Sequence, residues 1–160
     1  MNKRVKKIGA VNTNFVTANG LDDPMHYNTT AYDLAIIAAE AIKNEEFVKI
    51  INTSSHSFTD LDSKCSFTVN NKDAFLGMMD GAIGIKTGFT GNAGYCFVGA
   101  VKKNNKTLIS VVLASGWPPS KTYKWKDTVK LIKYVINNYE YRVIFSGINM
   151  YKNVSVKVGS

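Results

Sequence analysis

Apolar residues recur at helical spacing after a threonine-rich segment in the first third of the chain. The recurring residues are Ala31, Leu34, Ala35, Ala38, Ala39 and Ile42. This period predicts a helix over residues 30–43 with one buried face. Thr30, followed three residues later by Asp33, is typical of the N-terminal cap of such a helix. We expect Asp33 to serve the cap and the nearby loop, without a part in catalysis.

A second helical pattern follows Trp117-Pro118-Pro119 and predicts a helix over about 122–139. One face of this helix carries Trp125, Val129, Ile132, Val135 and Ile136. The lysines at 124, 126, 130 and 133 fall largely off that face, and we expect them to be solvated. Shorter helices are predicted over 2–9, ending at Gly9, and over 45–51.

Between these helices the pattern alternates with period two, which is typical of strands. Three strands are predicted over 83–89, 94–103 and 107–115, with Asn104-Asn105 as a hairpin turn. Two shorter strands are expected over 57–59 and 66–69. The inward residues of the three-stranded meander are expected to include Val98, Leu108, Val111 and Leu113. The fold class is therefore α+β: an antiparallel sheet meander with flanking helices.

The last part of the chain returns to period two at Val143, Phe145, Val154, Val156 and Val158. A segment of this length is too short to bury a core of its own. We therefore predict that the domain over 1–141 is followed by a separate β segment over 142–160.

Composition narrows the function classes. The net charge of +8 suits an anionic partner. The basic residues are scattered, without a repeated basic and aromatic platform, which argues against nucleic acid as a partner. Two cysteines and two histidines give neither a disulfide framework nor a metal-ligand spacing, so no metal and no cofactor are expected. No apolar run reaches the length of a membrane span, and no signal peptide follows Met1.

The chemistry-bearing stretch is Gly84-Ile85-Lys86-Thr87-Gly88-Phe89-Thr90, followed by the alternating run 95–101. The pattern predicts an edge strand joined by a tight turn to a partner strand. Lys86 and Thr87 are residue types that hold a carboxylate, one by charge and one by a hydrogen bond. Gly88 lets a ligand backbone lie close against the strand. The alternative without a functional role is that Lys86 is a solvated lysine and Thr87 an ordinary strand residue.

This stretch resembles the D-alanyl-D-alanine carboxypeptidases of the low-molecular-mass penicillin-binding proteins. Two further stretches carry the same resemblance: Ala93-Gly94-Tyr95-Cys96-Phe97-Val98-Gly99-Ala100 and His26-Tyr27-Asn28-Thr29-Thr30-Ala31-Tyr32-Asp33. The resemblance runs from residue 1 to about 141 and implies part of a β-lactamase/transpeptidase-like fold. It implies that residues 1–141 are the C-terminal portion of a transpeptidase-like catalytic domain and that residues 142–160 begin a small C-terminal β domain. It implies that Lys86, Thr87 and Gly88 bind the substrate's terminal carboxylate and that the backbone N–H of Phe89 is an oxyanion donor. The family substrate is a peptidoglycan stem peptide ending in D-Ala-D-Ala, and the family lies outside the cytoplasmic membrane.

The chain departs from the family pattern at the nucleophile. None of its serines has a lysine three positions later, and no Ser-x-Asn is present. We therefore expect a fragment or truncated form of a serine-type carboxypeptidase that is inactive alone and binds β-lactams only if the missing part is supplied. A homodimer through the face left exposed is also expected. Two alternatives stay open: a non-catalytic module that binds a stem peptide or a partner, and a fragment of a β-lactamase-like hydrolase.

Overall fold

The computed structural model describes residues 1–22, 28–140 and 142. Its α-helices are α1 (Asn2–Lys7), α2 (Ala31–Ala41), α3 (Glu45–Asn52) and α4 (Tyr123–Asn138). Its strands are β1 (Ser55–Thr59), β2 (Ser66–Asn70), β3 (Ala82–Thr90), β4 (Gly94–Lys103) and β5 (Lys106–Val112), and a 3₁₀ turn spans Ala74–Gly77. The predicted mixture of helices and antiparallel strands is confirmed.

The main sheet has the order β3-β4-β5, and both pairs are antiparallel. Asn104 and Asn105 join β4 to β5 with positive φ angles of 51° and 58°, as the predicted tight hairpin turn requires. β5 ends at Val112 and not at residue 115, because the chain turns at Ala114, whose φ is +53°. β3 pairs with β4 alone, so its other edge is open in the part of the chain that the structure describes.

The hydrophobic core lies between the main sheet, the 3₁₀ turn and α4. It consists of Phe75, Phe97, Val101, Trp125 and Ile132, with Leu108 and Val129 among the residues packed against it. Alternation along β4 places Ala100 on the other face of the sheet, and Ala100 is also fully buried. Both faces of β4 are therefore covered, on the second face by α2, which contacts β4 and β5.

This double coverage explains an error in the predicted core. Val98 and Val111 are cross-strand partners on the face opposite to Phe97, and both are only half-buried. Leu113 lies beyond the end of β5 and is exposed, so its prediction as an inward residue is wrong. Alternation alone does not tell which face of a doubly covered strand holds the larger side chains.

The cap of α2 is confirmed, because the Thr30 hydroxyl accepts a hydrogen bond from the Asp33 N–H at 3.1 Å. The Asp33 carboxylate is fully buried and joins α2 to the preceding loop. It accepts hydrogen bonds from the Asn12 N–H at 2.7 Å and from the Thr13 hydroxyl at 2.8 Å. The expectation of a cap and loop contact therefore holds for Asp33.

The prediction that all lysines of the last helix are solvated is wrong for one of them. Lys124 is only 3% exposed, while Lys126, Lys130 and Lys133 are exposed as expected. Lys124 precedes Trp125 in the first turn of α4, and its stem is enclosed where the helix meets the end of the sheet. Ile136, predicted on the buried face, is instead 43% exposed.

Of the remaining predictions, one is confirmed and others concern residues that the structure does not describe. The two short strands form the hairpin β1-β2, in which every residue is exposed. The predicted β segment over 142–160 lies outside the described residues apart from Arg142, as do His26 and Tyr27.

Among the described helices, none combines the length and the apolar character that a membrane crossing needs. The residues that the structure describes also hold no group of acidic, histidine or cysteine side chains that could bind a metal ion.

Candidate functional site

The four predicted site residues lie together on β3, next to the open edge of the sheet. The register of β3 against β4 shifts between Gly84 and Lys86, so Ile85 forms a bulge immediately before the Lys-Thr-Gly triplet. From Lys86 onward the pairing with β4 is regular as far as Thr90. The bulge therefore sets the orientation of the three residues that follow it.

Lys86 and Thr87 leave the strand on opposite faces of the sheet. Thr87 lies opposite Phe97, a core residue, so its side chain is on the α4 face. Lys86 lies opposite Val98 and is on the other face, but its ammonium turns back and donates a hydrogen bond to the Thr87 carbonyl oxygen. An extended ligand along the open edge would therefore have the cation on one side and the hydroxyl on the other.

The backbone of Phe89 is directed toward the same open edge. Its partner in the register is Tyr95, whose N–H donates to the Gly116 oxygen at 2.9 Å and whose oxygen accepts from the Ser115 N–H at 2.8 Å. Since Tyr95 uses both backbone groups on the side away from β3, the Phe89–Tyr95 pair is a non-hydrogen-bonded pair. The Phe89 N–H and oxygen then point away from β4. The Phe89 ring is 45% exposed and packs on the Tyr95 ring with centroids 4.4 Å apart.

The surface of β3 at Gly88 is open. Among the described residues, no heavy atom beyond its chain neighbours lies within 4 Å of the position that a Cβ atom would take. The backbone of Gly88 also lacks the positive φ that favours glycine. The protein's own packing therefore does not require glycine here, and the free space is available to a ligand.

A second cation, which the sequence did not indicate, lies behind the triplet. The Lys124 ammonium is 5.3 Å from the centroid of the Tyr95 ring and 4.9 Å from that of Trp125. It forms no ion pair in the part of the chain that the structure describes. Burial lowers the pKa of Lys124, the charge of Lys121 lowers it further, and Asp73 opposes both. The charge of Lys86 also lowers the pKa of Lys124.

Asp73 is the acidic group of the site. It lies in a cleft of about 160 Å³ that Lys72, Lys86 and Thr87 also line. Burial raises the pKa of Asp73, while a hydrogen bond from the Phe75 N–H, the Trp125 indole and the charge of Lys124 lower it. The site therefore combines an open strand edge, two lysines on different elements and one half-buried carboxylate.

Comparison with known proteins identifies carboxypeptidases of similar sequence. A family model for D-alanyl-D-alanine carboxypeptidases matches residues 1–116. The carboxypeptidase DacF of Bacillus subtilis is 31% identical over 159 residues, covering 99% of this chain and 40% of DacF. The carboxypeptidase DacA of Haemophilus influenzae is 38% identical over 145 residues, covering 88% of this chain and 34% of DacA.

Solved structures show the same fold. The DD-transpeptidase of Streptomyces K15 is 31% identical with a TM-score of 0.77, over 85% of this chain and 52% of that one. Penicillin-binding protein D2 of Listeria monocytogenes, in its cefotaxime-bound form, is 31% identical with a TM-score of 0.70, over 82% of this chain and 51% of that one. The predicted β-lactamase/transpeptidase-like fold is confirmed. The chain spans between about a third and two fifths of the length of these curated relatives and about half of the solved ones. With the match over residues 1–116 and these structural relatives, the chain belongs to the D-alanyl-D-alanine carboxypeptidase family, peptidase family S11.

Proposed function

We propose that this chain forms the substrate-holding wall of a serine-type D-alanyl-D-alanine carboxypeptidase site. Its ligand is a peptidoglycan stem peptide ending in D-Ala-D-Ala, lying extended along the open edge of β3. The observation that carries the proposal is the open edge of β3, toward which the Phe89 backbone points, with Lys86 and Thr87 on its two faces. The Lys124 ammonium lies 5.3 Å from the ring of Tyr95, the strand partner of Phe89.

Each residue has a role that its position supports. Lys86 supplies positive potential at the edge, and Thr87 donates a hydrogen bond to the terminal carboxylate. The Phe89 N–H, directed toward the edge, donates to the oxygen of the scissile carbonyl as negative charge develops on it. The ammonium of Lys124, enclosed between aromatic rings and without an ion pair among the described residues, gives the carboxylate a second cation.

None of these residues is the nucleophile of the reaction. Neither a Ser-x-x-Lys nor a Ser-x-Asn occurs in the 160 residues, so attack on the carbonyl requires groups that this sequence does not contain. We propose that the chain binds the peptide without hydrolysing it, and that β-lactams acylate the site only when the nucleophile is supplied. By family membership we place the working site at the cell envelope.

Calorimetric titration with a peptide ending in D-Ala-D-Ala tests the proposal. We expect binding to the wild type and about tenfold weaker binding to Lys86→Gln, since a hydrogen bond to a charged group is worth about 1.5 kcal/mol. Lys102→Gln on the neighbouring strand is the matched control, because Lys102 is an exposed strand lysine opposite Thr107. The same peptide with an amidated C-terminus should bind weakly to every variant. Equal affinity for the acid and the amide, or released D-alanine, would contradict the proposal.

A Gly88→Ala variant separates ligand fit from folding. The free space at Gly88 predicts an unfolding midpoint equal to or slightly above that of the wild type, because alanine loses less backbone entropy in a strand. The added methyl group occupies the space proposed for the ligand backbone, so peptide affinity should fall about tenfold or more, as for a steric misfit of over 1.4 kcal/mol. Chemical denaturation and titration of the same sample check both halves, and unchanged affinity would exclude a ligand lying against Gly88.

Of the two alternatives, the non-catalytic binding module makes the same binding prediction. It differs in that adding a nucleophile-bearing partner polypeptide would not restore acylation by a labelled penicillin. Self-association through exposed apolar residues stays a prediction, which the oligomeric state in solution tests.

A further inference from the structure

The carboxylate of Asp73 is pressed against the backbone of β3. One oxygen accepts a hydrogen bond from the Phe75 N–H at 3.1 Å and so begins the 3₁₀ turn. The other oxygen lies so near Gly84 that a Cβ atom built there would be 2.5 Å from it. A real side chain at position 84 would collide with the carboxylate, so glycine is what allows this approach. The contact lies directly before the bulge that orients Lys86.

The same carboxylate faces the first turn of α4. The Trp125 indole N–H is buried and has no hydrogen bond of ordinary geometry among the described residues. It nevertheless lies near enough to Asp73 to affect that group's pKa, as the Lys124 ammonium does. Asp73 thus stands between the strand that carries the Lys-Thr-Gly triplet and the helix that carries the second cation.

The charged groups around Asp73 can be named from each element packed against it. Lys86 on β3 and Lys72 beside the 3₁₀ turn line the same cleft. On the α4 side lie Lys124 and, within range of Lys124, Lys121 and the Cys96 thiol of β4. Apart from that thiol, all of these groups are cations, so Asp73 is the single carboxylate in this described cluster.

We propose that Asp73 is a positioning residue of the carboxylate site. Held against Gly84 in the cleft that Lys86 and Thr87 line, its negative charge lies among the lysines of the site and so controls how strongly the site holds a carboxylate at different pH. This inference rests on the proposed function, because the role needs an anionic chain end as the ligand. Asp73 acts through the positive charges of Lys86 and Lys124, without touching the ligand itself.

The Asp73→Asn variant tests the inference, since asparagine keeps an oxygen for the Phe75 N–H and removes the charge. Asp80→Asn removes the same charge at a site 91% exposed, next to Lys103, and is the matched control. Affinity for the D-Ala-D-Ala peptide is measured from pH 5 to pH 10. Loss of the Asp73 charge removes an interaction that raises the pKa of Lys124. Binding by Asp73→Asn should therefore fail at a lower alkaline pH than binding by the wild type and Asp80→Asn. If peptide affinity is lost at the same alkaline pH in Asp73→Asn and in Asp80→Asn, the inference is overturned.

A second measurement needs no ligand. The Trp125 indole N–H resonance, assigned with a Trp117→Phe variant, should shift on the acid side as Asp73 takes up a proton. The shift should persist in Asp80→Asn and disappear in Asp73→Asn. A wild-type resonance that does not move, or one that moves equally in Asp73→Asn, would overturn the inference. Absence of peptide binding by every variant, together with an indole shift that depends on Asp73, would instead contradict the proposed function alone.

Discussion

The Lys124→Met variant should be more stable than the wild type and should bind a peptide ending in D-Ala-D-Ala more weakly. Lys124 is 3% exposed and lies between two aromatic rings, with no ion pair among the described residues. Methionine keeps most of the stem and removes the charge that burial disfavours. Replacing buried charge with apolar atoms of similar volume is often stabilising, and we expect a gain of about 1 kcal/mol in the free energy of unfolding.

The gain should depend on pH with a definite sign. The pKa of Lys124 is lower in the folded protein than in the unfolded chain, where it has its ordinary value. Between these two pKa values the unfolded chain binds more protons, so the stability of the wild type rises with pH across that interval. The stability advantage of Lys124→Met is therefore full below the folded pKa of Lys124 and shrinks as the pH rises through that pKa toward the ordinary lysine pKa. Guanidinium unfolding at pH 7 and at pH 10 measures the difference.

Peptide affinity should change in the opposite direction. Loss of one charged hydrogen-bonding partner weakens binding about tenfold or more, at about 1.5 kcal/mol or above. Lys130→Met is the control on the same helix, since Lys130 is 81% exposed and pairs at 3.9 Å with Asp127. That variant should change neither quantity measurably. If Lys124→Met keeps full affinity, the second cation is structural and the proposed carboxylate site rests on Lys86 and Thr87 alone.

Lys124 also shows where prediction from sequence reaches its limit. Its position in the helical pattern lies beside the apolar face, which is typical of a solvated lysine. Burial arises because Tyr95, far away in the chain, reaches the first turn of α4. Nothing in the local pattern records that contact. The adjoining Trp125 is the one local signal, because aromatic neighbours can enclose a lysine stem.

The predictions that succeeded depend on local chemistry. The turn at Asn104-Asn105, the cap at Thr30 and the period of β3, β4 and β5 each follow from a few adjacent residues. The sequence does not predict Asp73 as part of the site. Its approach to Gly84 is a contact between two separate elements, and such a contact produces no periodic pattern in the sequence. Likewise, the motif indicated that Lys86 and Thr87 act together, but the structure shows that they approach the edge from opposite faces of the sheet.

The Phe97→Ala variant should have the largest effect on stability. Phe97 is fully buried, and its ring meets Phe75 edge to face with centroids 5.3 Å apart. Truncation of such a residue leaves a cavity and costs about 3–5 kcal/mol. Phe67→Ala is the matched control: Phe67 is 48% exposed on β2 and stacks on Phe58, so its loss should cost about 1 kcal/mol or less. Similar costs for both variants would contradict the assignment of the core.

The position of Phe97 also explains why this cost should extend to the site. Phe97 lies opposite Thr87, so the ring supports the part of β3 that carries the triplet. The ring also lies over Gly99, where an added Cβ atom would be 2.5 Å from it and 3.3 Å from the Phe75 ring. Gly99→Ala should therefore destabilise the wild type but cost less in the Phe97→Ala background, where the nearer obstruction is gone. Denaturation of the two single variants and the double variant should show this non-additivity. Additive costs would mean that the Phe97 ring can move aside, and β3 would then lack the rigid support that a preorganised strand edge requires.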